Sequence, residues 1–271
     1  MKKRMLCLFI SAVLLFGCCG VQAFAEQTDT YSDLITDILA RYESGSAAAD
    51  TPLHEQVSDA YCLAELFALI ATKSSNSAKV TDAVHGILND LEKTDKTAKG
   101  AEQQLVNGMY RCVELLMIMV KEMDADGKYG DRVSAIIEEF NSGNKSAASA
   151  AQQVVNGLYR CVDFLTLIAL ENSSSSSQTE HASAIHASLI ENNKNCSGVP
   201  QQQVNGAYRM VELLYLIARE LDHSNIWSER AGSIYDDFKT KNSQASGAPQ
   251  QLVNGLSHSV ETAAIIAHEL G

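Results

Sequence analysis

Four polar side chains recur along one stripe of an otherwise apolar segment in the middle of this chain. In QQLVNGMYRCVELL, residues 103–116, these are Gln104, Asn107, Arg111 and Glu114. At about 100° per residue, a helix aligns these positions on one face. Asn and Gln amides both donate and accept hydrogen bonds, and Arg binds a carboxylate through two parallel bonds. Such a stripe has the chemistry to bind a peptide.

The same stripe returns at intervals of 49 residues, with a tyrosine beside each arginine. We predict that it lines the concave surface of a repeat protein and binds an extended ligand. A structural role is the alternative, in which the arginines and acids pair with each other because buried charges need partners. We call this set the polar ladder, and it comprises Gln104, Asn107, Tyr110, Arg111, Glu114, Gln153, Asn156, Tyr159, Arg160, Asp163, Gln202, Asn205, Tyr208, Arg209 and Glu212.

The 49-residue step organises the whole chain, since Ile38, Ile87, Ile136, Ile185 and Ile234 keep it too. Each unit contains one segment with a single apolar face and one longer, more apolar segment, which predicts a pair of helices. The predicted fold class is therefore all-α. Five stacked helical hairpins predict an α-solenoid, and a closed α/α toroid of the same hairpins is the alternative.

The predicted domain organisation is a leader followed by one helical-repeat domain. The leader covers residues 1–25 and the repeat domain residues 26–271, with units at approximately 27–75, 76–124, 125–173, 174–222 and 223–271. The end units depart from the pattern, with Ser58 and Cys62 for Asn and Arg in the first and Ser257-His258 for Tyr-Arg in the last. Degenerate ends are typical of caps on an open stack.

The first 25 residues are typical of an export signal. Cations at positions 2–4 precede a short apolar core, and AFA at positions 23–25 fits a small-x-small cleavage site. LFGC at positions 15–18 also resembles a lipobox, so lipoprotein anchoring through Cys18 is an alternative. Either route predicts an extracellular or cell-surface location, and the short leader indicates a bacterial protein.

The charge of the chain restricts its partners. The formal net charge is −12 at pH 7, and cleavage of the leader would remove only cations. Because nucleic acids and anionic lipids bind basic surfaces, we predict no nucleic-acid partner. Arginine and acid recur within the apolar segments, so we predict no membrane insertion.

The sequence contains no HExxH, GxSxG or nucleotide-binding glycine motif. EMDADGKYGD at 122–131 resembles a calcium loop, but Val133 stands where the bidentate Glu is required. We therefore predict a non-enzymatic scaffold that binds a protein or peptide partner, with no cofactor and no metal. The alternatives are a hydrolase or transferase on an α/α toroid and an architectural protein of the cell envelope.

Two local patterns lead to structural predictions. Asn107-Gly108 is a strong turn signal, but the apolar period continues through it, which predicts a helix with glycine at a tight crossing. Cys112 and Cys161 hold the same position in neighbouring units. Packed helix axes lie ~8–10 Å apart, whereas a disulfide needs Cα atoms within ~7 Å. We therefore predict two buried free thiols.

Overall fold

The structure of the protein, a computed structural model, describes residues 30–75, 77–222 and 226–271. These residues form ten α-helices and no strand, which confirms the predicted all-α class. The first, outer helices of the hairpins are α1 (Tyr31–Ala48), α3 (Ala78–Thr97), α5 (Gly130–Ser146), α7 (Ser176–Asn195) and α9 (Ile226–Gln244). The second, inner helices are α2 (Pro52–Lys73), α4 (Ala101–Met123), α6 (Ala150–Asn172), α8 (Val199–Leu221) and α10 (Ala248–Leu270). The predicted leader, with Cys18, lies outside the described residues.

The two helices of a hairpin differ in how much of their surface is buried. The outer helix α3 buries one narrow face through Val80, Val84 and Leu88, as its amphipathic pattern predicts. The inner helix α6 buries apolar side chains around most of its circumference. These side chains belong to one apolar core that extends through all five units. The hydrophobic effect therefore places the inner helices at the centre and the outer helices around them.

Local side chains fix where the hairpins turn. Thr30 and Asp33 form a reciprocal capping box at the start of α1. Thr51 caps α2 directly ahead of Pro52, which occupies the first helical turn. Such caps satisfy backbone N–H groups that have no partner inside the helix, and proline is well tolerated there because its missing donor is not needed.

The Asn-Gly pairs lie inside helices at points where two inner helices approach closely. A Cβ atom added to Gly108 would lie 2.9 Å from the Tyr61 ring and 3.0 Å from the Cβ atom of Ala60. A Cβ atom on Gly255 would lie only 2.7 Å from that of Ala207. Both predictions, a helix and a tight crossing, are confirmed. Glycine is required here by the neighbouring helix and not by a turn.

Contacts between the inner helices follow a cyclic order. α2 packs against α4, α4 against α6, α6 against α8 and α8 against α10, and α10 packs in turn against α2. Each outer helix packs against the inner helix of its own hairpin and against that of the preceding unit, and α1 completes this pattern by contacting α10. The first and last units therefore share an interface, which we call the seam.

The seam repeats a hydrogen bond found at an interior interface. Gln203 Nε2 in the fourth unit donates to the carbonyl oxygen of Ala151 in the third at 3.1 Å, an ordinary length for such a bond. Gln56 Nε2 in the first unit donates to the carbonyl oxygen of Pro249 in the last, at 3.0 Å. Both residues of the second pair are equivalent to those of the first in the 49-residue repeat. The first and last units are therefore joined by the same kind of hydrogen bond as two interior neighbours.

Ser257, one of the substitutions expected to mark a cap, faces Asp59, a further departure from the repeat pattern, across the seam. At two interior interfaces a glycine lies against a tyrosine of the preceding unit, as Gly108 does against Tyr61. At the seam, Asp59 stands in the glycine position and Ser257 in the tyrosine position, and Ser257 Oγ donates to Asp59 Oδ2 at 2.8 Å. Compared with the interior interfaces, the seam has the larger Asp59 in place of glycine and the smaller Ser257 in place of tyrosine. This complementarity accounts for Asp59 and Ser257 as partners in one interface.

The four described cysteines are free thiols, with Cys62, Cys112 and Cys161 buried and Cys196 partly exposed. Burial raises the pKa of the Cys112 and Cys161 thiols above the ordinary range, so both stay protonated. The prediction of two buried free thiols in neighbouring units is confirmed. Among the described cysteines, Cys196 alone is not buried.

Candidate functional site

Several residues of the polar ladder line two grooves between neighbouring outer helices. The third groove, between α5 and α7 over α6, is lined by residues that include Asn156 and Tyr159. The fourth groove, between α7 and α9 over α8, is lined by residues that include Asn205, Tyr208 and Arg209. These two separate grooves differ from the single continuous concave surface that the sequence predicts. Because the outer helices cover the inner ones on both sides of each stripe, the ladder is divided among separate grooves.

The arginines of the ladder are paired within their own helices. The pairs, each three residues apart, are Arg111–Glu114, Arg160–Asp163 and Arg209–Glu212. Arg160 also pairs with Glu139 of α5. This is the arrangement expected for a structural role, because each guanidinium has a local counter-charge. An external carboxylate would have to displace that partner.

The first and last units preserve this pairing with different side chains. In the first unit Cys62 occupies the arginine position, and Arg41 of α1 supplies the cation, 2.5 Å from Glu65. Burial raises the pKa of the Glu65 carboxyl group, while Arg41 opposes that shift. In the last unit His258 occupies the arginine position, and its Nε2 lies 3.1 Å from Asp237 of α9. Both exceptions in the sequence therefore have a compensating partner on the adjacent outer helix.

Asp163 has more partners than the other ladder acids. Its side chain is 5% exposed and lies 3.2 Å from Arg160, 3.3 Å from Arg132 of α5 and 2.7 Å from His186 of α7. One buried carboxylate thus connects three helices of two hairpins. Removing it would leave Arg132 and His186 without this partner and Arg160 with Glu139 alone, which is more costly than the loss of one exposed ion pair.

The ladder asparagines bind the backbone of the adjacent outer helix. Asn156 Nδ2 donates to the carbonyl oxygen of Phe140 at 2.8 Å, and Asn205 Nδ2 donates to that of Leu189 at 3.0 Å. The two acceptors occupy equivalent repeat positions. Asn107 differs, because its Oδ1 accepts from Gln103 Nε2 at 3.2 Å. These bonds fix the outer helix along the inner helix and hold each amide at the groove.

An outer-helix residue that the ladder prediction missed connects tyrosine and glutamine of successive units. Asp95, near the end of α3, accepts a hydrogen bond from Tyr61 Oη at 2.6 Å and another from Gln104 Nε2 at 2.7 Å. Tyr61 belongs to the first unit and Gln104 to the second. The carboxylate therefore joins two inner helices through one outer helix.

Asn193 repeats this arrangement two units later. It accepts from Tyr159 Oη at 2.6 Å and from Gln202 Nε2 at 3.0 Å. Burial, as the largest cause, raises the pKa of Tyr159 to about 12, so its hydroxyl stays a donor. A signal for these acceptors exists in the sequence, since Asp95, Asn144, Asn193 and Asn242 keep the 49-residue step.

The fourth groove departs from this pattern at Asn242. Gln251 Nε2 donates to the backbone oxygen of Asn242 at 3.5 Å, and the side-chain Oδ1 of Asn242 is buried without a partner. The groove has a volume of ≈ 570 Å³. Its amide side chains are Asn192, Asn195, Gln201, Asn205, Asn242 and Gln251. This groove therefore combines open space with an unused acceptor.

The fold and its repeated hydrogen bonds define the class as an all-α helical-repeat protein. Comparison with protein-family models, characterised proteins and solved structures gave no match. In the part of the chain that the structure describes, no group of three or more His, Cys, Asp or Glu side chains is placed to hold a metal ion. One described helix, α6, has the length and composition of a membrane span, but 72% of that stretch is buried within the protein. Core helices share this property.

Proposed function

We propose that the protein is an exported, non-enzymatic helical-repeat scaffold that binds a protein or peptide through the outer grooves of the polar ladder. The observation that carries this proposal is the repeated amide lining of the third and fourth grooves. Amide side chains donate and accept hydrogen bonds, as a peptide backbone does. Grooves repeated on one packed core offer an extended binding surface that needs no cofactor.

The placement of the ladder acids supports a non-enzymatic role. Each acid lies beside an arginine of its own helix, and successive acids belong to successive units. General acid–base catalysis instead needs titratable groups that converge on one reacting atom. The ladder instead presents equivalent side chains in several units, which suits contact with successive parts of a ligand.

The charges of the grooves support a protein or peptide partner. The chain carries a formal charge of −12, and Arg209 at the fourth groove is paired with Glu212. A nucleic acid would require unpaired cations along its phosphates. A partner recognised mainly by neutral hydrogen bonds fits both the amide lining and the net charge. Export, through the predicted leader, places this partner outside the cell or at its surface.

Selection of displayed peptides tests this function. Short random peptides on phage are selected on the immobilised full chain, and enriched peptides are synthesised and titrated by fluorescence anisotropy. We expect micromolar binding that weakens by about tenfold or more in an Asn156→Ala/Asn205→Ala variant, because each lost hydrogen bond contributes about 1 kcal/mol. Asn89→Ala, at an exposed position of α3 outside the ladder, is the matched control and retains binding.

Two results would contradict the proposal. In the first, no peptide is enriched above the level obtained on an unrelated helical protein. In the second, the enriched peptides bind the double variant and the Asn89→Ala control equally well. Either result would leave the ladder with its structural role alone.

A further inference from the structure

Asn242 is the exception in a series of four equivalent acceptors. Asp95 accepts from Tyr61 and Gln104, Asn193 accepts from Tyr159 and Gln202, and Asn144 Oδ1 accepts from Asn156 Nδ2 at 2.9 Å. Asn242 Oδ1 is buried and has no hydrogen-bond partner. The side-chain oxygen at this position therefore accepts a hydrogen bond in three units and has none in the unit of Asn242.

A free acceptor at this depth is costly unless something binds it. A buried polar atom without a hydrogen bond costs about 1–3 kcal/mol, and such atoms are few in native proteins. Here the atom belongs to a residue that lines a groove of ≈ 570 Å³. A donor in the groove would recover that free energy once the partly exposed Asn242 side chain rotates its Oδ1 atom towards the groove.

The other groups of the groove define the chemistry of the ligand. Most polar groups in the lining are amides, and the charged pair there, Arg209 and Glu212, is neutral as a unit. Such a lining suits a neutral ligand that both donates and accepts hydrogen bonds, as an extended peptide backbone does. A glycan would favour a free aromatic face, but the Tyr208 ring already contacts Phe238, with centroids 4.9 Å apart, and the Arg209 guanidinium.

We propose that the fourth groove is the main ligand site and that it binds an extended peptide segment, a backbone N–H of which donates to Asn242 Oδ1. The proposal rests on the proposed function and adds one groove, one atom and one ligand class to it. The third groove serves as a secondary surface, because the equivalent acceptor Asn193 is already occupied by Tyr159 and Gln202.

Cys196 provides a reporter for this groove. It lines the fourth groove and is partly exposed, whereas Cys62, Cys112 and Cys161 are buried. With serine in place of the three leader cysteines at positions 7, 18 and 19, a maleimide fluorophore labels the folded full chain at Cys196. A selected peptide, synthesised without label, is then titrated into the labelled protein. Anisotropy of a labelled copy of the same peptide, with unlabelled protein, gives the dissociation constant independently.

Asn242→Ala and Asn193→Ala form a matched pair, since the two residues hold equivalent positions and undergo the same truncation. We expect Asn242→Ala to weaken peptide binding about tenfold and to leave Tm unchanged or raised, because the atom it removes has no partner. Asn193→Ala is expected to lower Tm, because Tyr159 and Gln202 lose their acceptor, and to change the dissociation constant by less than about twofold.

The outcomes separate this inference from the proposed function. If the Asn156→Ala/Asn205→Ala variant loses binding while Asn242→Ala binds normally, the assignment of this atom is wrong and the scaffold function stands. If no peptide binds, the function itself fails. If a neutral oligosaccharide, such as chitotetraose, changes the Cys196 fluorescence and the selected peptides do not, the ligand class is wrong.

Discussion

Replacing Asp59 with asparagine is expected to raise the free energy of unfolding at pH 7 by about 4 kcal/mol. Asp59 is fully buried at the seam. Burial, and to a lesser extent the carboxylates of Glu55 and Glu261, raise the pKa of its carboxyl group to about 8, although the hydrogen bond from Ser257 opposes the shift. Asparagine keeps the shape and accepts the same hydrogen bond without a titrating proton.

The pH dependence of stability follows from this raised pKa. An unfolded aspartate has a pKa near ~3.9, so between about pH 4 and about pH 8 the folded protein holds a proton that the unfolded chain has released. The contribution of Asp59 to stability is therefore fully present below about pH 4, falls as the pH rises and is lost above about pH 8. The groups that face it are Glu55 on its own helix, Tyr42 on α1 and both Ser257 and Glu261 on α10.

Urea unfolding at a series of pH values between the two pKa values measures this effect. The wild-type protein should lose stability by up to ~1.4 kcal/mol per pH unit in that window relative to Asp59→Asn. Asp90→Asn, the same change at an exposed position of α3, controls for the loss of one negative charge. Parallel pH profiles for the wild-type protein and Asp59→Asn would show that this carboxyl group is not buried at an interface.

Gly255→Ala is expected to destabilise the protein by about 1–3 kcal/mol, the usual cost of overpacking a core. The new Cβ atom would lie 2.7 Å from the Cβ atom of Ala207. Both atoms are attached directly to helix backbone, so neither can rotate away and the two inner helices must separate. The expected loss is large for the addition of a single methyl group.

Replacing Gly86 with alanine is expected to change the free energy of unfolding in the opposite direction. Gly86 lies in the outer helix α3, and a Cβ atom there would meet no atom within 4 Å. Alanine should therefore stabilise this helix by about 1 kcal/mol through its higher helix propensity. Urea unfolding of both variants gives the comparison. If Gly255→Ala is as stable as Gly86→Ala, the inner helices are not in close contact at Gly255.

The helices could be predicted from the sequence because their burial pattern is local and repeated. Val80, Val84 and Leu88 already indicate a helix with one buried face, and the structure buries these side chains. Asn107-Gly108 was correctly predicted as helical because the apolar period around it outweighs the preference of two residues for a turn. Because the apolar pattern recurs from unit to unit, a local turn signal such as Asn-Gly does not change the helix prediction.

Contact between the first and last units could not be predicted in the same way. Asp59 and Ser257 are far apart in sequence, and a departure from the repeat pattern has the same appearance in a cap and in an altered interface. The distinguishing signal is steric: the glycine position has gained a side chain, Asp59, where the tyrosine position has a smaller one, Ser257. That signal has a meaning only when the two positions are known to face each other.

The candidate site was predicted in part. The ladder residues indeed share one stripe on each inner helix, but the direction of that stripe depends on where the outer helices pack. Asp95 and its equivalents were missed because they lie on another helix and because the first is aspartate whereas the other three are asparagine. The lack of a hydrogen-bond partner for Asn242 Oδ1 depends on side-chain geometry, which cannot be read from the sequence.

Closure of the five hairpins is tested most directly by the coupling free energy between positions 59 and 257. Asp59→Gly and Ser257→Tyr, alone and together, convert the seam into the glycine–tyrosine contact of Gly108 and Tyr61. We expect Ser257→Tyr alone to be strongly destabilising, and Asp59→Gly to restore at least about 2 kcal/mol of that loss, because residues in contact are not additive. Additive effects within about 0.5 kcal/mol, as for distant sites, would contradict a closed order of repeats.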